Sequence, residues 1–217
     1  MSKLSELAAL VEAGKVKEVV PAVQACLDEG MEPLEVLNNG LVEPINVLGE
    51  KFRLGEIYVP ELLIASKGMK MGVEVIKPLL LNDDVKKAGR VLFCTVEGDM
   101  HDIGKNLVVL LLESAGFEVE DLGMDIEADE IVEAIEEAID DEEPYDILGM
   151  SAMLTTTMYA MQDTIEALDE AGLRDKIKIM VGGAPVNQTF ADKIGADGYS
   201  SNAPLAVELA KKLVAEA

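Results

Sequence analysis

The chain has no tryptophan, four tyrosines, four phenylalanines, two cysteines and one histidine among 217 residues. Its 18 lysines and arginines face 42 aspartates and glutamates, for a formal net charge of −24. Each shortage excludes something. Without a basic face the chain cannot meet a phosphate backbone, so nucleic acid is not an expected partner. One histidine with no paired cysteine nearby is a poor zinc site, because zinc takes three or four nitrogen or sulfur ligands. No stretch approaches the ~20 uninterrupted apolar residues of a membrane span. The opening Met1-Ser-Lys-Leu-Ser-Glu6 lacks the apolar core of a signal peptide, so the expected setting is cytoplasmic, with no membrane partner. There Cys26, inside a predicted helix, and Cys94, inside a predicted strand, read as small buried hydrophobes. The acidic excess has two readings, solubility and docking to basic faces of partner proteins, and both stay open.

What is present is the composition of a soluble globular protein, 49% hydrophobic and 28% charged, with eleven methionines. The length allows one or two domains, and the pattern changes character partway along. Residues 1–81 read as helices only. Leu4, Leu7, Ala8 and Val11 recur at helical spacing over Ser2 to Ala13, with Gly14 as the stop. Lys15 to Glu29 follows, with Val16, Val19, Val20, Val23 and Leu27 on one face and Gly30 at its end. Pro33 opens a third helix toward Phe52, with a kink expected near Leu41 because Pro44 lies inside it. Leu54 to Val59 reads as a turn, and Pro60 starts a last helix from Glu61 to about Leu80. Four helices with short connections predict a small antiparallel bundle. The polar stretch 82–89 is the expected linker and hinge.

From Arg90 onward strands and helices alternate, which predicts a parallel α/β sheet over residues 90–217. The expected strands are Arg90 to Val96, Phe117 to Leu122, Tyr145 to Met150, Lys176 to Val181 and Gly198 to Ser200. The expected helices are Ile103 to Ala115, Glu127 to Ile139, Thr156 to Ala171, one ending near Ile194, and Pro204 to Ala217. This order fits a flavodoxin-like, Rossmann-type five-stranded sheet of order 2-1-3-4-5, with a ligand crevice between the carboxyl ends of the first and third strands.

His101 falls at that crevice, in Glu97-Gly-Asp-Met-His-Asp-Ile-Gly-Lys-Asn106. Asp99 and Asp102 flank it, and a carboxylate is the usual partner that fixes the tautomer of a ligating imidazole. Gly98 and Gly104 leave room for a bulky group to approach the backbone. A single imidazole suits a metal whose other positions are filled by a macrocycle.

Asp99-Met-His101-Asp-Ile-Gly104 resembles the DxHxxG signature of cobalamin-binding domains, in which the histidine replaces the cofactor's own base as the lower ligand of cobalt. Further elements extend the resemblance. Ser151-Ala-Met-Leu-Thr-Thr-Thr157 resembles the SxL element that lines the slot for the displaced nucleotide tail, with Ser151 and Thr155 at its hydroxyl positions and Met153 where leucine is usual. Thr157 matches the hydroxyl residue that joins Asp99 and His101 in a relay. Gly182-Gly183 resembles the GG element, and Asn202-Ala203 matches the last contact near the nucleotide. Gly49 to Leu63 is similar to the cap module that precedes this domain in corrinoid methyl carriers. There Tyr58, Leu62, Met69 and Met71 are either core residues or part of an apolar lid over the upper face of the ring.

The resemblance implies a corrinoid protein of an anaerobic methyltransferase system, holding cobalamin through Gly98, Asp99, Met100, His101, Asp102, Ile103, Gly104, Ser151, Met153, Thr155, Gly182, Gly183 and Ala203. In its loaded state the cofactor would be methylcobalamin, with His101 as axial ligand of cobalt and an Asp99, His101, Thr157 relay tuning that ligation. The chain itself shows no donor or acceptor site, so the implied role is a non-catalytic carrier. The implied partners are a substrate-specific corrinoid methyltransferase, a second methyltransferase acting on tetrahydrofolate or a thiol, and a reductive activase. The donor could be a methylamine, methanol, a quaternary amine or a methoxylated aromatic. Three alternatives stand beside this reading: a cobalamin-dependent sensor or regulator, the cobalamin subunit of a mutase, and a flavodoxin-like binding module without a corrinoid.

Overall fold

Strand β1 (Gly89–Val96) is the organising strand of a five-stranded parallel sheet of order β2-β1-β3-β4-β5. β2 (Phe117–Ile126) pairs on one side of it and β3 (Ile147–Ser151) on the other, followed outward by β4 (Lys178–Gly182) and β5 (Gly198–Ser200). This is the flavodoxin-like order, obtained in a computed structural model that describes residues 2–80 and 88–215. The chain divides into two units, residues 1–82 and 83–217.

Both faces of the sheet are covered, because strand side chains alternate sides. Leu92, Cys94 and Val96 of β1, with Leu148 and Met150 of β3, point into a core shared with three helices. These are α7 (Ala128–Asp140), α8 (Ala160–Glu170) and α9 (Gln188–Ile194). Val91 and Phe93, with Ile147 and Met180, point the other way, against Leu112, Ala206, Ala210 and Leu213. Those come from α6 (Ile103–Ser114) and α10 (Ala203–Ala215). Gly149 lies opposite Phe93 in the β1–β3 pairing, and a Cβ there would collide with the Phe93 ring. Both cysteines are buried and free; burial pushes the Cys94 thiol up to about 12, so neither is poised as a nucleophile.

Several boundaries differ from the sequence expectation, each for a visible reason. β2 continues past Leu122 to Ile126, because its pairing with β1 shifts register twice and its far end turns toward the loop after β1. α8 starts at Ala160, not Thr156, because the backbone before it turns to serve a buried carboxylate described below. Residues Arg174–Lys176 form a 3-10 turn, so β4 begins two residues later than expected. Gly89 belongs to β1, whereas residues 82–87 of the expected linker lie outside the described residues.

The N-terminal unit contains α1 (Lys3–Glu12), α2 (Val16–Asp28), a third helical run and α5 (Val59–Leu80). The third run opens as α3 (Pro33–Glu35), widens into a π-helical stretch at Val36–Val42, and continues as α4 (Glu43–Arg53). The disturbance expected from Pro44 therefore takes the form of π turns. Proline has no N–H to offer the carbonyl one turn back, and a wider turn relieves its ring of that carbonyl. Leu7, Val11, Val19, Val23, Leu37, Leu41 and Ile76 fill the core. α2 and α5 approach closely because Gly68 and Gly72 face Val16, Val19 and Leu41 where a side chain would have little or no room. Met69 is buried among these core residues, which removes it from any exposed lid, while Met71 and Tyr58 are exposed. No described helix is long and apolar enough to cross a membrane.

The Phe93–Gly149 contact sets a test of the sheet. Gly149→Ala should cost about 1–3 kcal/mol in urea denaturation, the usual cost of overpacking a filled core. Adding Phe93→Leu should recover part of that loss, and strictly additive losses would show that the two residues do not compete for the same space.

Candidate functional site

The carboxyl ends of β1, β3, β4 and β5 lie along one edge, since Thr95 pairs with Ser151, Ser151 with Gly182 and Gly182 with Ser200. A parallel sheet places its βα loops at that edge, and the loop carrying His101 rises from the end of β1.

Asp99 is fully buried at the base of this loop. Its Oδ1 accepts from the backbone N–H of His101 at 3.1 Å and lies 2.7 Å from His101 Nδ1. Its Oδ2 accepts from Met153 N at 2.7 Å, Leu154 N at 3.3 Å and the Thr157 hydroxyl at 2.6 Å. Burial alone would raise this carboxyl. The bonds from Thr157, Met153 and His101 more than offset it and hold the group down to about 2. Asp99 is therefore ionised at neutral pH, and its negative charge favours the proton on Nδ1 of the ring. That leaves Nε2 as the acceptor nitrogen, on a side chain 54% exposed.

The structure thus joins His101, Asp99 and Thr157 in one hydrogen-bonded chain with the carboxylate in the middle. Gly98 has a positive φ of 78° and lets the loop turn sharply after β1. Met100 is exposed beside the ring, and so is Met153 on the facing turn. Asp102 precedes α6, where its Oδ2 accepts from the Asn106 side chain at 3.1 Å. Ile103 and Gly104 open that helix, and nothing stands within 4 Å of where a Gly104 Cβ would be. Ser151 ends β3, and Thr155 is exposed in the turn that follows. Ala203 begins α10, after β5. Gly182 and Gly183 have a packing reason of their own. A Cβ on Gly183 would collide with the Ala152 carbonyl, and one on Gly182 would crowd the Ser200 carbonyl at 3.2 Å.

Three residues that motif reading passed over hold the loop or the start of α6 that follows it. Asp125 adopts a left-handed φ of 58° at the bulged end of β2; its side chain accepts from Gly98 N at 2.6 Å and its N–H donates to the Asp99 carbonyl at 3.1 Å. Lys105, 2% exposed, is held by the Asp121 carboxylate and by Asn106 Oδ1 at 2.7 Å. Thr95, fully buried, donates its hydroxyl to the His101 carbonyl at 3.0 Å. Thr95 had a readable signal, as the one polar side chain in the apolar run Val91 to Val96. Asp125 had none, because its position depends on register shifts that no local pattern announces.

Among the described residues no group of three or more His, Cys, Asp and Glu side chains could hold a metal ion. What the site offers is a single oriented imidazole at an open edge.

Comparison with known proteins locates this arrangement. A B12 binding domain model matches residues 89–208, and a second B12 binding domain model matches residues 4–77. Dimethylamine corrinoid protein 2 of Methanosarcina acetivorans is 42% identical over 97% of this chain and 95% of its own length. The structure of the Methanosarcina barkeri monomethylamine corrinoid protein superposes with a TM-score of 0.87 at 33% identity, covering 96% of each chain. A methanol:cobalamin methyltransferase complex from the same organism matches with a TM-score of 0.54 at 31% identity, over 99% of this chain and 80% of that one.

Asp99 also ties stability to pH. Its carboxyl is lowered on folding from 3.8 to about 2, so its contribution is complete above about pH 4 and is lost as pH falls through about 2. The contribution amounts to roughly 2 kcal/mol, by the free-energy equivalent of a pKa difference, and about half of it is gone by pH 3. Asp99→Asn should therefore be clearly less stable than the native chain at pH 6. Urea denaturation should show that gap narrowing by about 1 kcal/mol at pH 3, and a gap independent of pH would contradict the ionised, bonded carboxylate.

Proposed function

The chain belongs to the B12-binding corrinoid proteins of methyltransferase systems, and from that membership we propose that it carries a methyl group between a substrate-specific corrinoid methyltransferase and a second methyltransferase. Its cofactor is a corrinoid of the cobalamin type. The observation that carries the residue-level reading is the exposed His101 ring bonded through Nδ1 to the buried Asp99.

The residues present fit such a group. An imidazole held by a carboxylate behind it presents one basic nitrogen outward, which is what a macrocycle-bound metal with one open axial position needs. When bound, the corrinoid supplies a cobalt centre able to take up a methyl group from one enzyme and yield it to another. His101 would hold the cobalt through Nε2. Asp99 fixes the tautomer and direction of the ring, and Thr157 with the 153–154 backbone fixes Asp99. The Asp99, His101, Thr157 chain would back the ligand position through the contact at Nδ1, 2.7 Å long. Gly98, Met100, Asp102, Ile103 and Gly104 shape the opening around the ring. Ser151, Met153, Thr155, Gly182, Gly183 and Ala203 line the slot for the nucleotide tail along the neighbouring strand ends. The helical unit at residues 1–81 acts as the cap, joined through the 82–89 segment.

The donor is a methylated one-carbon substrate. The 42% identity to a dimethylamine corrinoid protein supports a methylamine, and the 31% identity to a methanol:cobalamin methyltransferase complex supports docking onto a methyltransferase subunit. The final acceptor is tetrahydrofolate or a thiol. A reductive activase restores the carrier when its cobalt is accidentally oxidised.

Anaerobic reconstitution with hydroxocobalamin tests this. The native chain should retain the corrinoid with a visible spectrum of histidine ligation, and His101→Ala should lose that signature. Asp99→Asn should retain the corrinoid and shift the cobalt(II)/cobalt(I) midpoint potential; an unchanged potential would remove the relay. With a candidate partner, loss of the methyl-loaded spectrum only when a methylated amine is omitted would identify the donor class.

A further inference from the structure

We propose that Thr95 is a positioning residue for His101, fixing the direction of the imidazole from the strand beneath it. The proposal rests on the reading of His101 as the metal ligand.

Thr95 is out of place by local chemistry. Val91, Leu92, Phe93, Cys94 and Val96 around it in β1 are all buried and apolar. Valine would match threonine in shape, suit a strand equally well and bring no hydroxyl to satisfy. A hydroxyl placed in a core without a partner is destabilising, so one retained there is bonded to something specific. Here that something is the carbonyl of His101, 3.0 Å away. Thr95 is also the β1 residue that β2 skips, since Cys94 pairs with Gly123 and Val96 with Ile126. On its other side it pairs with Ser151 of β3.

The bond supplies a constraint that Asp99 cannot. Both contacts from Asp99 to His101, at N and at Nδ1, go to one oxygen two residues away in sequence. They hold the N–H and Nδ1 of residue 101 but leave its carbonyl, and the peptide plane that follows it, unheld. The carbonyl is the third fixed atom of residue 101, and its partner belongs to a different element, strand β1. Anchoring it fixes the peptide plane between His101 and Asp102. With the N–H also held, the Cα–Cβ vector and the ring that follows it have one direction relative to the sheet. Removing the hydroxyl should leave the site folded and the tail slot intact, but should weaken ligation.

Native, Thr95→Val, Thr95→Ser and Thr164→Val chains, each reconstituted with hydroxocobalamin and reduced by one electron, provide the test. Thr164 is the control. It is also a buried threonine, with its hydroxyl 2.8 Å from the Ala160 carbonyl, but it belongs to α8. Two quantities are read: corrinoid retained per chain, and the fraction whose electron paramagnetic resonance shows splitting from a ligating ring nitrogen. Thr95→Val should retain corrinoid at close to the native level while its ligation equilibrium falls about three- to tenfold, the range expected for one lost hydrogen bond. Thr95→Ser should restore ligation, and Thr164→Val should leave it unchanged. Native-like ligation in Thr95→Val would overturn the proposal, as would an equal loss in Thr164→Val. If Thr95→Val does not fold, Thr95→Cys, with a weak donor of similar size, takes its place with the same expectation. Absence of ligation in the native chain would instead overturn the assignment of His101, and this inference with it.

Discussion

Asp99 holds a negative charge out of water, and much of the site follows from how that charge is satisfied. Five donors reach its two oxygens: two from His101, two backbone N–H groups at 153 and 154, and the Thr157 hydroxyl. An ionised carboxylate in an apolar interior is tolerated only with such a shell. The shell has a structural consequence, because the chain after β3 must spend its first free N–H groups on the carboxylate before a helix can begin. It has a chemical one too, because the same carboxylate decides which imidazole nitrogen faces outward. Loss of the charge would affect the turn, the loop and the ring together.

The sheet makes this possible by keeping one edge free of packing duties. Helices cover both faces, and the side chains of β1 divide strictly between them. Only the carboxyl ends of the strands remain to present polar groups, and β1, β3, β4 and β5 end level with one another there. β2 does not end level. Its two register shifts carry Asp125 to the loop, where a left-handed backbone lets one residue both donate to and accept from the 98–99 segment. A strained conformation at such a place is a common companion of function.

Much of this was legible in the sequence, and the rest was hidden for physical reasons. Alternation of apolar runs with helical periodicity gave the strand order, because a buried parallel sheet leaves no other use for those runs. The short motif around His101 gave the loop and its acid partner, since both effects are local. The start of α8 was misplaced because Thr155, Thr156 and Thr157 resemble a helix entrance, and nothing nearby shows that a carboxylate some fifty residues earlier captures the intervening N–H groups. Pro44 correctly marked a disturbed helix but not its form, since a bend and a widened π turn relieve the same clash. For Met69 the core was the favoured reading and the lid the alternative, and its burial in the bundle agrees with the core.

A solitary, half-exposed imidazole has a further use. Every ring proton and ring nitrogen signal of histidine in a magnetic resonance spectrum of this protein must come from residue 101. No assignment step stands between the spectrum and the site. Tautomer, exchange with solvent, attachment to a metal and the arrival of a docking enzyme can all be followed on one resonance set. The poverty of the sequence in this residue makes the chain its own reporter.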